Sequence, residues 1–223
     1  MKTFLALAIL LVGFTFASAQ HEYAPLQEKE IKYKNWTYAS VRDFNQQLNL
    51  RDFARGKKLL MVVYFAAWCP NWQLEAPFAQ KLYDKYKAYG FNVVGVSEYD
   101  TIAATKTNLV DNKITFTVVA ESEATEAREK TSHFEYRKAS GDTRKWGSPW
   151  HIFIEPANLK GEGETLLEKA FVVNGELIEA ETEKFVRQKL GLPAEEKTAG
   201  TATKEKVIET CASDKKEATL KKP

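Results

Sequence analysis

A run of strand-forming side chains, Leu-Leu-Met-Val-Val-Tyr-Phe, extends from Leu59 to Phe65. It has no alternating polar position, which is typical of a strand whose two faces are both buried under helices. A helical pattern begins after Cys69 and ends near Tyr89, where Gly90 supplies the residue type that most often follows a helix. Pro70 suits the first helical turn, because its missing N–H would have no partner there. Apolar residues at every fourth position predict the buried stripe of this helix: Leu74, Phe78, Leu82 and Tyr86.

Shorter strands and helices alternate along the rest of the chain. The apolar patterns predict strands at 35–38, 91–97, 115–120, 150–155 and 167–173 and helices at 101–110 and 180–190. This alternation predicts the α/β class, with a central mixed sheet flanked by helices. The segment 121–148 is highly charged, and we expect a helix in its first part, through about residue 132. We interpret its basic, aromatic stretches 136–138 and 144–146 as a solvated loop, and the alternative is that they border the functional site.

The first residues have the pattern of a secretory signal peptide. Lys2 precedes an apolar stretch from Phe4 to Phe16, and the small residues Ala17-Ser18-Ala19 follow. We therefore predict a signal peptide over 1–19 and export to a periplasm or outside the cell. The alternative is a retained membrane anchor, but the apolar stretch is shorter than the ~20 residues that a membrane span needs. We accordingly expect no stable membrane span after cleavage.

Composition divides the remaining chain into three parts. Residues 20–36 are polar and mixed, which predicts a loose lead-in, and residues 37–190 carry the α/β pattern of one domain. From 191 to 223 the chain is rich in Lys, Glu, Ala and Thr and has no aromatic residue. Such a tail buries too little apolar surface to offset the entropy lost on ordering, so we predict disorder there.

Overall composition argues against several classes of protein. The 223 residues are 44% hydrophobic and 28% charged, as in an ordinary soluble globular protein. A formal net charge of +2 gives no case for nucleic acid as a partner. The residue spacing supports no metal-ligand cluster, no glycine-rich phosphate loop and no serine–histidine–acid arrangement. We therefore expect neither a metal nor a cofactor.

Two cysteines, Cys69 and Cys211, are too few for a disulfide scaffold in an exported chain. Cys69 lies at the predicted start of a helix, where unpaired N–H groups and the helix dipole favour the thiolate, the nucleophile of thiol–disulfide exchange. The alternative is a small buried hydrophobe at the end of a strand. Cys211 could reach Cys69 as a distant resolving thiol or link two chains. The alternative for Cys211 is a free thiol without a role, because a disordered tail imposes no geometry.

The residues around Cys69 resemble a known family. The stretch Val-Tyr-Phe-Ala-Ala-Trp-Cys-Pro, from Val63 to Pro70, resembles the FWATWCPPC region of the TlpA-like thioredoxin family, whose members are exported thiol–disulfide oxidoreductases. From Cys69 to Pro77 the chain follows that family's C-x-x-C-x-x-E-x-P spacing at each marked position except Trp72. Tryptophan thus stands where the family has its second, resolving cysteine.

Two further segments extend the resemblance over about residues 37–190. Segment 91–97 looks like the family's vvgVs strand, and Gly-Ser-Pro at 147–149 matches its G-x-P segment. The resemblance implies a thioredoxin-like fold and a cis peptide bond before Pro149. It also implies that backbone groups of Ser148 bind an extended substrate chain.

The resemblance implies roles for side chains beside the thiol as well. Glu75 matches the acidic residue that helps proton transfer at the family's cysteines, and the alternative is an exposed helix glutamate. Val63 stands where thioredoxin has a buried aspartate, so that proton acceptor is absent. Trp68 and Trp72 are candidate walls of an apolar substrate groove. His151 follows the candidate cis-proline by two residues, and we interpret it as an ordinary strand histidine, with an influence on Cys69 as the alternative.

Trp72 leaves three hypotheses open, because a mixed disulfide on Cys69 has no neighbouring thiol to break it. The first is monothiol exchange through Cys69, with protein or small-molecule thiols and disulfides as partners. The second is a redox-inactive binding module for polypeptides or partner proteins, with Trp68, Trp72 and the proline loop as its groove. The third is a thiol peroxidase, although Ala66 stands where the peroxiredoxin pattern P-x-x-x-[ST]-x-x-C needs a hydroxyl.

Overall fold

A computed structural model describes residues 21–193 of the chain. The predicted signal peptide, Cys211 and the predicted tail from residue 194 onward lie outside these described residues. Across 21–193, none of the helices combines the length and the apolar character that a membrane crossing requires.

Strands and helices alternate through the described residues. The strands are β1 (Tyr23–Ala24), β2 (Gln27–Lys34), β3 (Thr37–Ser40), β4 (Gln47–Asn49), β5 (Leu59–Phe65), β6 (Phe91–Ser97), β7 (Thr117–Ala120), β8 (Trp150–Ile154), β9 (Thr165–Val173) and β10 (Glu176–Leu177). The α-helices are α1 (Leu50–Ala54), α2 (Pro70–Tyr86), α3 (Ile102–Asp111), α4 (Ser132–Ser140) and α5 (Glu179–Leu190). Short 3₁₀ helices cover Lys87–Tyr89, Thr125–Lys130 and Pro156–Asn158.

One large sheet organises these elements. Its strands lie in the order β2-β9-β8-β5-β6-β7-β3-β4, while β1 and β10 form a separate pair. The central strand β5 runs parallel to β6 and antiparallel to β8. Odd-numbered residues of β5 join an apolar cluster with α2, α3 and α5, and its even-numbered residues join another with α1 and α4. Because alternate side chains point to opposite faces, burial of both faces explains the run without polar positions. The predicted mixed α/β class with flanking helices is confirmed.

The loose lead-in predicted for residues 20–36 is wrong, because β2 pairs with β9 in antiparallel orientation. Ile31 and Tyr33 of this strand are buried, whereas the residues beside them are exposed. Alternation of charged and apolar residues is typical of a strand with one covered face. The partner strand β9 lies far along the chain, so the local composition of residues 27–34 does not indicate a strand. The strand predicted at 35–38 lies slightly later, as β3.

The helix after Cys69 is present, and a 3₁₀ turn continues it to Tyr89. Gly90 then takes a left-handed conformation with φ of 97°, as a helix-ending glycine commonly does. The predicted stripe is correct at three positions but wrong at Leu74, which is 46% exposed. Trp72 and Glu75 are buried instead. The later strands and helices lie within two residues of their predicted ends.

The charged segment 121–148 is folded, and both expectations for it need correction. The predicted helix is replaced by a 3₁₀ helix at 125–130, and α4 begins only at Ser132. Thr131 caps α4 by accepting a hydrogen bond from the N–H of Phe134 at 3.1 Å. The solvated-loop interpretation is wrong for Arg137, which is buried. It is also wrong for Trp146, whose ring packs against Trp68.

Candidate active site around Cys69

Cys69 lies where the central strand gives way to α2. It is the N-cap residue of α2, and Pro70 is the first helical residue. The backbone N–H of Cys69 donates to the carbonyl of Ala66 at 3.0 Å, which closes a tight turn after β5. The thiol is 8% exposed, so it is recessed rather than free on the surface. The strand and helix together therefore bring one thiol to a helix N-terminus.

The proline loop lies directly against this thiol. Cys69 Sγ donates to the backbone carbonyl of Ser148 at 3.2 Å. In return, the Ser148 hydroxyl accepts a hydrogen bond from the N–H of Ala66 at 2.9 Å. The Ser148–Pro149 peptide bond is cis. Two hydrogen bonds therefore hold the loop beside the thiol, and the thiol must give up the first of them when it becomes a thiolate.

Trp72, at the position of the family's second cysteine, is part of the core. Its ring stacks on Phe65 with 4.2 Å between centroids, and the side chain is fully buried. Its indole N–H donates to Asn108 Oδ1 at 3.0 Å, and Asn108 Nδ2 donates to the carbonyl of Ala67 at 3.2 Å. The expectation that Trp72 lines a substrate groove is therefore wrong. The binding-module hypothesis loses that wall of its groove.

Trp68 is the aromatic residue that a ligand can reach beside the thiol. It is 37% exposed, and its indole N–H donates to the carbonyl of Tyr99 at 3.2 Å. Its ring meets that of Trp146 nearly edge to face, with 5.2 Å between centroids. Sequence reasoning preferred a solvated loop for Trp146 over the alternative that its segment borders the site. The position of Trp146 two residues before Ser148 is a signal that favours the alternative.

Glu75 forms a buried pair that sequence reasoning did not predict. Its Oε1 lies 2.5 Å from Nε2 of His151, and its Oε2 accepts from the N–H of Leu177 at 2.6 Å. Both side chains are buried, so the exposed-glutamate alternative and the interpretation of His151 as an ordinary strand histidine are wrong. Val63 lies directly opposite His151 in the pairing of β5 with β8. The imidazole therefore lies next to the position where thioredoxin has its buried aspartate.

A buried ion-pair network fixes the loop that leads to Pro149. Asp142 accepts from Arg137 Nε at 3.1 Å and from Arg144 Nη2 at 2.8 Å. Arg144 Nη2 also donates to the carbonyl of Pro149 at 3.0 Å. Burial alone would raise the pKa of Asp142, but the hydrogen bonds and charge of Arg144, with the charge of Arg137, outweigh it and lower the pKa. The ionised Asp142 thus orients two guanidinium groups toward the proline loop.

A second polar cluster supports Tyr99, the residue that holds Trp68. The carboxyl of Glu98 accepts from the Ser122 hydroxyl at 2.5 Å, and the Tyr99 hydroxyl lies 3.0 Å from His133 Nδ1. Burial first, and then the neighbouring Glu121, raise the pKa of Glu98 well above its ordinary value. Burial, together with the nearby guanidinium groups, lowers the pKa of His133 well below its ordinary value. Burial thus favours the uncharged form of each group.

The described part of the chain contains no group of three or more histidine, cysteine or acidic side chains arranged to hold a metal ion. At the site itself, the recessed thiol of Cys69 lies between Trp68 and the proline loop. Cys69 is the one cysteine among residues 21–193, and it is free.

A thiol at a helix N-terminus beside a cis-proline loop, on a mixed sheet flanked by helices, defines a thioredoxin-fold protein. A family model described as the AhpC/TSA family matches residues 30–145. Because this match covers more than half of the 223 residues, the chain belongs to that family.

Solved structures support the same fold. A secreted thiol-disulfide isomerase from Corynebacterium glutamicum is 15% identical, with a TM-score of 0.50 over 70% of this chain and 84% of that chain. A DsbF homologue from Corynebacterium diphtheriae is 14% identical, with a TM-score of 0.50 over 70% and 85%. At these identities the likeness shows the fold alone, and it agrees with the thioredoxin-like fold implied by the TlpA-like resemblance. A search of curated proteins found no match.

Proposed function

We propose that this chain is an exported thiol–disulfide exchange protein that works through Cys69 as a lone nucleophile. The proposal rests on one observation, the combination of an available thiol at position 69 with a buried tryptophan at position 72. Cys69 presents its sulfur 3.2 Å from the carbonyl that precedes the cis-proline, while Trp72 fills the resolving position as a fully buried side chain. The attacking thiol of a thioredoxin-type site is thus retained and its intramolecular partner is not.

The proposed reaction has two exchange steps, and each conserves electrons. The Cys69 thiolate attacks a substrate disulfide, one S–S bond forms to Cys69, and the other sulfur leaves as a thiolate that takes up a proton. An external thiolate then attacks the substrate sulfur of the mixed disulfide, a new S–S bond joins these two sulfurs, and Cys69 leaves as a thiolate that takes up a proton. Trp72 has no sulfur for this second step, so we assign it to protein or small-molecule thiols, with Cys211 as the alternative within the chain. Glu75 with His151 is our candidate for the group that exchanges protons near the site, and the backbone of Ser148 for the group that binds substrate.

Export is the second part of the proposal. The signal-peptide pattern over residues 1–19 supports it. One of the solved proteins with this fold, the isomerase from Corynebacterium glutamicum, is described as secreted. An oxidising compartment would supply the disulfides on which Cys69 acts. Cys211 stays a candidate distant resolving thiol. Comparing the parent chain with its Cys211→Ser variant tests this role.

Intact-mass measurement after exposure to oxidised glutathione tests the exchange reaction. We expect the full chain carrying Cys211→Ser to gain one glutathionyl group at neutral pH, because its remaining thiol lies at a helix N-terminus. A chain carrying both Cys69→Ser and Cys211→Ser is the matched control and should stay unmodified. If Cys69 remains unmodified while a free cysteine peptide in the same tube reacts, the exchange proposal is wrong.

A further inference from the structure

An open cleft with a mostly charged lining lies beside the active site. It has a volume of about 420 Å³, within the range of small-molecule sites. The 3₁₀ segment Thr125–Lys130 forms one wall, and Lys145 with Trp146 forms the other. These walls belong to the segment between β7 and β8.

Cations gather around the aromatic wall of the cleft. The Arg128 guanidinium lies 5.2 Å and the Lys145 ammonium 5.3 Å from the ring of Trp146. Arg128 also pairs with Glu129 at 2.6 Å, so these two charges largely offset each other. Of the other charged side chains that line the cleft, Lys130 and Lys145 are positive and Glu126 is negative. The cleft therefore carries a net positive charge.

Trp146 connects the cleft to the thiol. Its ring contacts Trp68, which directly precedes Cys69. It also lies two residues before Ser148, whose carbonyl accepts the thiol hydrogen bond. Ring contacts of Trp68 and Trp146 thus link the residue next to Cys69 to the cations of the cleft.

We propose that this cleft recognises a carboxylate-bearing thiol of low molecular mass, the external thiol that the exchange cycle requires. The inference rests on the proposed function, because Trp72 leaves release of the substrate to an outside thiol. The thiolate of such a molecule attacks the substrate sulfur of the mixed disulfide, a new S–S bond joins these two sulfurs, and Cys69 leaves as a thiolate that takes up a proton. The carboxylates of the attacking molecule pair with Lys130 and Lys145. A small thiol suits a recessed sulfur that is only 8% exposed. The same cleft favours attack of Cys69 on the symmetrical disulfide of that thiol, in which one half becomes bonded to Cys69 and the other half leaves as a thiolate.

Two disulfide probes of different charge test the cleft. Oxidised glutathione carries two carboxylates and one ammonium on each half, whereas hydroxyethyl disulfide is uncharged. The variants are Lys145→Glu and Lys130→Glu in the full chain with Cys211→Ser, and the matched control is Lys106→Glu, at an exposed lysine of α3. We expect each cleft variant to slow Cys69 modification by oxidised glutathione about three- to tenfold, since charge reversal removes electrostatic attraction. The rate with hydroxyethyl disulfide and both rates of the control should stay unchanged.

The outcomes separate the two proposals. If the cleft variants slow both probes equally, or slow neither, the cleft does not select carboxylates and the inference is wrong, while the exchange reaction stands. If an acidic peptide disulfide is slowed but oxidised glutathione is not, the occupant is a polypeptide and the small-thiol inference is wrong. If the parent chain reacts with neither probe, the proposed function itself fails. Lys145→Gln replaces Lys145→Glu if circular dichroism shows that the charge reversal perturbs folding, and a smaller loss of the same selectivity is then expected.

Discussion

At the residue scale, the tryptophan pair around Cys69 shows how neighbouring residues of one type can have opposite roles. Trp72 is fully buried and bonded to Asn108, whereas Trp68 is 37% exposed at the edge of the site. The same type of side chain is therefore part of the core at one position and partly exposed beside the thiol at the other. Helix geometry causes the difference, because Trp72 lies on the face of α2 that packs on the sheet.

Replacing each tryptophan by alanine should separate these roles. We expect Trp72→Ala to lower the free energy of unfolding by about 3–5 kcal/mol, since it leaves a cavity in the core. Trp68→Ala should cost about 1 kcal/mol or less, because its side chain is partly in water. Urea denaturation followed by circular dichroism measures both. Equal losses for the two variants would contradict the assignment of Trp72 to the core.

Glu98 should make the stability of the fold depend on pH. The unfolded chain loses this proton near the ordinary pKa of 4.5, whereas burial and then Glu121 raise the pKa in the folded chain. The unfolded state then binds fewer protons, so stability falls as pH rises above the ordinary pKa until the folded-state pKa is passed. Glu98→Gln stays uncharged and should remove this loss, at most about 1.4 kcal/mol per pH unit.

Urea denaturation at several pH values between about 5 and about 8 checks this expectation. The matched control is Glu123→Gln, at an exposed neighbouring carboxyl. It should follow the pH profile of the parent chain. A Glu98→Gln variant whose profile also coincides with the parent's would show that Glu98 is already ionised in the folded protein.

At the element scale, the segment between α4 and β8 decides where the proline loop lies. Asp142 and Arg144 of this segment form an ion-pair network with Arg137 of α4, and Arg144 donates a hydrogen bond to the carbonyl of Pro149. Gly147 lets the Arg137 side chain pass against the backbone: a Cβ there would lie only 1.7 Å from Arg137 Nε. The loop beside Cys69 thus depends on close contact with a buried cation.

Gly147→Ala tests that dependence, with Gly141→Ala as its matched control. Both glycines have positive φ, at 60° and 84°, but a Cβ at Gly141 meets no atom within 4 Å. In both variants, alanine in the left-handed backbone conformation lowers the free energy of unfolding by about 1 kcal/mol. We expect Gly147→Ala to lower it by about 1–3 kcal/mol more, because Arg137 must move. Its Cys69 should also react more slowly with oxidised glutathione, since Ser148 is the next residue. Equal stability and equal thiol reactivity in the two variants would show that this contact does not position the loop.

At the scale of the whole molecule, the central strand, the helix that follows Cys69 and the later alternation of strands and helices could be predicted from local patterns. Their signals are contiguous: an apolar run, a proline at a helix start and a glycine after its end. β2 was missed because its charged residues resemble a loose segment until β9 pairs with it. The thioredoxin-like fold was predicted from the motifs around the thiol and the proline. The match to the AhpC/TSA family model confirms that the chain belongs to a redoxin family.

The sequence by itself determined that a single cysteine follows a buried strand, that tryptophan replaces its usual partner, and that a Gly-Ser-Pro segment comes later in the chain. Only the tertiary structure decided that Trp72 is core, that Glu75 pairs with His151 and that Trp146 packs on Trp68. These contacts join residues that are distant in sequence. Their strength depends on burial and on approach within a few ångströms, which local composition does not encode.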